Sequence, residues 1–390
     1  MDPKLESYLR ATRVLRPERV KPRGHDLFRV ALSRYFPGLI PPENLVLTHS
    51  THRSCESVEI AGQRYVVYDT YMTDSLHILN SLWLINSSVA EYWCYALRVI
   101  AEKFLQRDVV SLGAYAALHY RLAATFADPR VSRINPPGIR GFFTATQETF
   151  VVLHELSHIY VQSNSAEAQA KIQSELEYIE NCNLTYVAPQ LLRRELTGGR
   201  KAALAVEMAC DDLAANRAFD LMADDCAEGF EPLGIVLPIL VGHYNLRWLA
   251  MLDGLVSGFL QADLSGVAEQ STVEMMIRSH KAHANSYLIL ANRNVALSDR
   301  EVRDGSSAER YPGYQFNAKE LVELHDTIID QFYESPWTSV ERIHAFLKLL
   351  QSEDWHADLL AMASRFDVLS HTTSEEDLAW IANSILDGHL

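Results

Sequence analysis

The stretch Thr149-Phe150-Val151-Val152-Leu153-His154-Glu155-Leu156-Ser157-His158-Ile159-Tyr160 constrains this chain more than any other. Phe150, Leu153, Ile159 and Val161 recur at helical spacing, so the periodicity predicts a helix. Thr144 with Gln147 predicts a capping box at its start. Within the helix the residues read H-E-x-x-H. Positions i and i+4 share a face, so His154 and His158 point the same way. Two imidazoles at that spacing can share one metal ion, with Glu155 beside them where water would be activated.

A metal on two histidines needs a third ligand. Leu204-Ala205-Val206-Glu207-Met208-Ala209-Cys210-Asp211-Asp212-Leu213-Ala214 supplies the best one. Glu207 and Asp211 are again i and i+4 on one helical face. A glutamate can ligate zinc through oxygen, and an aspartate one turn on can hold the free ring nitrogen of a ligand histidine. Asp212 is the rival for that second role, but it is turned off the Glu207 face. Cys210 reads as a small core residue, with a thiolate ligand as the alternative.

H-E-x-x-H on one helix and E-x-x-x-D on a later one resembles the gluzincin branch of zinc metallopeptidases. The resemblance covers these two helices. It implies one zinc ion bound by His154, His158 and Glu207, with Glu155 as general base and Asp211 orienting a histidine, His154. Val161-Gln162-Ser163-Asn164 follows the motif, so the metzincin continuation H-E-x-x-H-x-x-G-x-x-H is absent. Gluzincins commonly bring a later His or Arg to the scissile carbonyl. The predicted helix Val273 to Leu290 carries Arg278, His280 and His283, and His283 takes that catalytic role, with His280 as the alternative and surface histidines as the plain reading.

Composition narrows the partners. The net charge of −15 disfavours nucleic acid, which is held by Lys and Arg. The five cysteines, Cys55, Cys94, Cys182, Cys210 and Cys226, show no C-x-x-C pair, which fits a reducing cytoplasmic setting. Met1 to Glu6 shows no apolar leader. The apolar run from Leu233 meets His243, Asn245 and Arg247 too soon for a membrane span and reads as a buried core helix.

Elsewhere the chain reads as helix, apart from one hairpin. Ser57-Val58-Glu59-Ile60 and Arg64-Tyr65-Val66-Val67-Tyr68 are its strands, about the turn Ala61-Gly62-Gln63. One strand serves as a substrate-aligning edge, as in zincins, or the hairpin only packs on the helices. Ser88-x-x-Glu91, Thr338-x-x-Glu341 and Ser374-x-x-Asp377 are helix-start signatures. The basic run Arg10 to Arg23 is a solvated face or a docking arm.

The expected fold is therefore mainly α with a small β-hairpin or sheet (α+β), a zincin-like catalytic core in a helical surround. The expected division is a basic N-terminal segment 1–56, a metallopeptidase domain 57–310 and a helical region 311–390. The expected function is hydrolysis of a peptide bond by metal-activated water, in an intracellular protease with a restricted protein or peptide substrate. The alternative is a helical interaction or scaffold protein that keeps an inactive zincin-like core.

Overall fold

The computed structural model describes residues 3–12, 24–127, 137–163, 165–181, 198–225, 232–304, 326–328, 330–352, 355–364 and 374–388. The sequence also predicts a loop from Asp128 to Gly138, a short helix from Leu191 to Leu196 and a turn at Tyr311-Pro312-Gly313-Tyr314; these lie outside the described residues, except that Pro137 and Gly138 already belong to the helix that follows. In chain order come α1 (Pro3–Thr12), α2 (His25–Tyr35), β1 (Leu45–Thr48), β2 (Cys55–Ile60), β3 (Gln63–Asp69) and α3 (Thr70–Leu84). There follow α4 (Val89–Gln106), α5 (Val110–Ala127), α6 (Pro137–Val161), α7 (Ala166–Asn181) and α8 (Gly198–Asp225). The chain goes on through α9 (Pro232–Leu260), α10 (Leu264–Asp304), α11 (Thr338–Ser352), α12 (Trp355–Ser364) and α13 (Glu375–Leu386). The protein is mainly α with one small sheet.

Contacts group the chain into two compact units, each made of three stretches. The first holds Met1–His77, Pro137–Tyr244 and Val273–Ile329, and the second holds Ile78–Pro136, Asn245–Thr272 and Asp330–Leu390.

In the first unit the strand order is β1-β3-β2, with β1 parallel and β2 antiparallel to β3. Leu5 and Leu9 of α1 cover one face, against Val58, Ile60, Tyr65 and Val67. Tyr68 lies on the other, its ring centroid 5.2 Å from that of Phe28 in α2. Strand alternation divides these residues between the faces. The hairpin turn is Ala61-Gly62, both at positive φ (53° and 79°), which matches the twist of the flanking strands. Alanine is strained there and glycine is not. Ala61→Gly should therefore raise stability by about 0.5–1 kcal/mol, after the larger chain entropy of glycine is deducted. A denaturation midpoint that falls would show that the turn is not strained.

Helix α6 is the spine of this unit. It starts at Pro137, whose fixed φ suits a first helical position. The expected capping box at Thr144 and Gln147 is thus overturned, since both lie inside the helix. The hydroxyls of Thr144, Thr146, Thr149 and Ser157 donate to the carbonyls four residues back, at 2.8–2.9 Å. That satisfies them in a helix buried on all sides. Gln147 Nε2 donates to the carbonyl of Pro238 in α9 at 3.1 Å. The close approach there needs Gly242, where a Cβ would stand 2.6 Å from Gln147 Cγ. Glu148 accepts from Gly24 N (2.6 Å) and Thr73 Oγ1 (2.5 Å), tying the starts of α2 and α3 to the spine.

Helices α7, α8 and α10 pack together through Ile179, Leu204, Met208 and Ile277, and α6 meets α7 and α8 through Val161, Ala168 and Cys210. Cys210 is a core residue packed on Val161 and Ala168, where burial pushes its thiol well up, and it is not part of the cluster of His154, His158 and Glu207.

In the second unit Trp248 is fully buried and stacks on Tyr95 at 5.7 Å. Its indole N–H donates to Ser339 Oγ (3.0 Å) and Pro336 O (3.1 Å). The capping boxes Ser88/Glu91 and Ser374/Asp377 form as their spacing requires. The expected one at Thr338 does not, because α11 continues from a π-helical turn and Glu341 accepts from Trp337 Nε1 instead. Helix α9 is long and apolar enough to cross a membrane, but 78% of its most apolar window is buried, as a core helix should be.

Candidate metal centre

The i, i+4 spacing on α6 places His154 and His158 side by side, and α8 brings Glu207 to them. His154 Nε2 is 3.1 Å from His158 Nε2. Glu207 Oε2 is 3.5 Å from His154 Nε2, and Glu207 Oε1 is 3.3 Å from His158 Nε2. A tetrahedral ion with bonds of about 2.1 Å needs its donors about 3.4 Å apart. Each histidine thus faces a different oxygen of Glu207, at a separation near that value, so this carboxylate can complete the pair as a third ligand. It is the one cluster of His, Cys, Asp and Glu suited to a metal among the described residues.

Asp211 sits one turn behind. Its Oδ1 is 2.9 Å from His154 Nδ1. A ring N–H donated there leaves the Nε2 lone pair directed at the cluster. Burial alone would raise the Asp211 carboxyl, but Arg278, His243 and His154 outweigh it and hold it well below the usual carboxylate range. Glu207 is likewise driven down, against burial, by the two histidines and Arg278. Asp212 faces elsewhere, paired with Lys171.

Glu155 leaves the donor face and meets the sheet. Its Oε2 accepts the backbone N–H of Ser57 in β2 at 2.8 Å. That N–H therefore points away from β3, so Ser57 and Val66 form a non-hydrogen-bonded pair. The outward backbone groups of β2 belong to Cys55, Ser57 and Glu59, along the sheet edge beside α6. Burial pushes the Glu155 carboxyl up, against the pull of His154, His158 and the Ser57 N–H. A carboxyl raised in this way is a better proton acceptor than an ordinary one.

The assignment of the later helix needs correction. His283 is 4% exposed, with Nδ1 at 2.9 Å from Ser279 O and 3.4 Å from Tyr244 Oη. It is a packed core histidine and not a group facing an open cleft. His280 is exposed and bonded to Tyr178. The residue of α10 that joins the site is Arg278. Its Nε and Nη2 donate to Asp211 Oδ2 and Oδ1, both at 2.8 Å, and its Nη1 donates to Glu207 Oε2 at 3.0 Å. One sequence signal marks it: a cation beside Met275 and Ile277, on a helix face that is buried, needs carboxylate partners. A cavity of about 780 Å³ lies along β1, lined by Leu39, Ile40, Leu45, Val46 and Arg64 among others, and includes none of these residues.

No protein-family model, curated protein or solved structure matches the chain.

The electrostatics give a titration result. Burial disfavours the imidazolium of His154, yet its bonds to Asp211 and Glu207 outweigh burial and raise it to about 9. The metal-free site thus carries a proton on His154 at pH 7, and a metal must displace it. Zinc binding at pH 7 should release about one proton from His154, besides what a water acidified on the ion gives up, and the His154 share should fade as the pH rises past about 9. Calorimetry in two buffers of different ionisation enthalpy reads the number. Heats that do not depend on the buffer at pH 7 would show that His154 is already neutral.

Proposed function

We propose that this chain is a zinc-dependent peptidase of the gluzincin type. The observation that carries the proposal is the meeting of His154, His158 and Glu207 within reach of one ion, with the raised Glu155 carboxyl beside it. A zincin-like core is supported by three further placements. The motif helix α6 is buried, α8 supplies a carboxylate to its histidines, and a strand edge runs past Glu155.

A bound zinc ion would supply Lewis acidity, acidifying water towards a pKa of about 7 and polarising a carbonyl. The chain does the rest. Glu155 takes a proton from the attacking water, the C–N bond breaks, and Glu155 returns the proton to the leaving amine. Asp211 holds His154 in one tautomer throughout. The edge of β2 beside Glu155 is where an extended peptide backbone would lie, its Ser57 N–H being already held by Glu155. Among the described residues Cys55, Cys94 and Cys210 form no disulfide, which is consistent with a reducing, cytoplasmic setting.

The rival is a helical scaffold that keeps the core without turnover. Metal analysis of the purified protein, with hydrolysis of unfolded casein before and after chelation, separates the two. One zinc per chain and cleavage that chelation removes and zinc restores support the peptidase. Zinc without cleavage of casein or of a broad peptide mixture favours the scaffold, and no zinc overturns the metal centre itself.

A further inference from the structure

We infer that Arg278 decides how Glu207 binds the metal: through Oε1 alone, with Oε2 withheld. The inference rests on the zinc reading above and adds to it a residue that positions a ligand.

The geometry of the guanidinium is the argument. Its Nε donates to Asp211 Oδ2 at 2.8 Å, and its Nη2 lies 2.8 Å from Oδ1 and 2.7 Å from Oδ2. That paired contact fixes the plane of the fork, because a guanidinium is rigid and a carboxylate is too. With the plane fixed, Nη1 has one direction to point, and it lands on Glu207 Oε2 at 3.0 Å. Arg278 is 6% exposed and held by α10, so the fork is anchored from behind as well. The two oxygens of Glu207 are thereby made unequal. Oε2, although 3.5 Å from His154 Nε2, carries a charge-assisted hydrogen bond from a cation, while Oε1, 3.3 Å from His158 Nε2, is left as the stronger donor.

The consequence is a donor count. Two imidazole nitrogens and one carboxylate oxygen make three ligand atoms, which leaves a tetrahedral ion one open position for chemistry. If both oxygens of Glu207 bound, the protein would fill four positions, the composition of a closed structural site. In this arrangement Arg278 keeps the site open without touching the metal or the substrate. The same cation also holds Glu207 and Asp211 in place before any metal arrives, so the site is formed in advance.

Cobalt(II), whose visible spectrum reports coordination number, is the probe. The wild-type protein should take up one Co²⁺ and show the intense absorption of a low-coordinate site. Arg278→Gln should weaken Co²⁺ binding by roughly 10- to 100-fold and convert the spectrum to the weak form of a higher coordination number. Arg278→Lys keeps the buried positive charge and so protects the fold. It should convert the spectrum as well, because an ammonium cannot grip Asp211 twice and still reach Glu207. Circular dichroism shows which variants are folded, and a folded variant that keeps the wild-type spectrum overturns the inference.

A crystal structure of the zinc-loaded wild type decides without any variant. Oε1 alone within bonding distance of zinc supports the inference, and both oxygens within it overturn it. If the wild type binds neither Co²⁺ nor zinc, the metal reading fails and takes this inference with it. If it binds them with both Glu207 oxygens, only the role of Arg278 fails.

Discussion

Glu155→Gln should leave one zinc per chain and lower hydrolysis by roughly 10²- to 10⁴-fold, the usual worth of a positioned general base. Glutamine has the shape of glutamate, and its amide oxygen can still accept the Ser57 N–H that Glu155 accepts at 2.8 Å. The metal donors His154, His158 and Glu207 are on another face and keep their spacing. What disappears is a carboxyl that burial has raised towards the pH at which it works. Zinc content and casein cleavage are measured on the same preparation. Cleavage at the wild-type rate would remove Glu155 from the chemistry, and loss of zinc would make it a structural residue of the site.

Asp211→Ala should act on two observables together. It removes the partner of His154 Nδ1, which should weaken zinc by roughly 10- to 100-fold. It also leaves a buried guanidinium without its paired carboxylate, which should destabilise the fold by about 3–5 kcal/mol. Asp212→Ala is the control on the same helix. Asp212 pairs with Lys171, but Lys171 also reaches Glu175 at 3.0 Å, so its charge keeps a partner. That change should stay within about 1 kcal/mol and leave zinc affinity alone. Asp211→Asn separates the two effects, since the amide keeps the volume and loses the charge. Chelator competition and denaturant unfolding of the three variants, side by side, read both quantities. Equal losses for Asp211→Ala and Asp212→Ala would leave Asp211 as an ordinary helix carboxylate.

The parts of the site that could be read from sequence are the ones set by local periodicity. His154 with His158, and Glu207 with Asp211, are pairs one helical turn apart, and a helix alone puts each pair on one face. The hairpin was legible for the same reason, from alternation and a two-residue turn. Strand β1 was not. Leu45 to Thr48 is only four residues long and becomes a strand by pairing in parallel with β3. Thr144 and Gln147 carry a start signature, yet tertiary partners bury them inside α6. Arg278 was legible only in part: a cation among apolar neighbours asks for carboxylates, but that its partner is Asp211, 67 residues earlier, is set by tertiary folding. The candidate His283 failed for the converse reason: its residue type suited the role, but packing turned it into the core.

That separation of 67 residues is also an interval of time. A chain made at about 5–20 residues per second reaches Arg278 roughly 3–13 s after Asp211. Through that interval the histidines and both carboxylates have been synthesised without their cation. Glu207 and Asp211 then have solvent, one another or a passing metal ion as company. The order in which arginine and metal reach the carboxylates is therefore set by the ribosome as well as by affinity. An ion captured early would meet a Glu207 with two equivalent oxygens, and the arrival of α10 would have to pull one of them away.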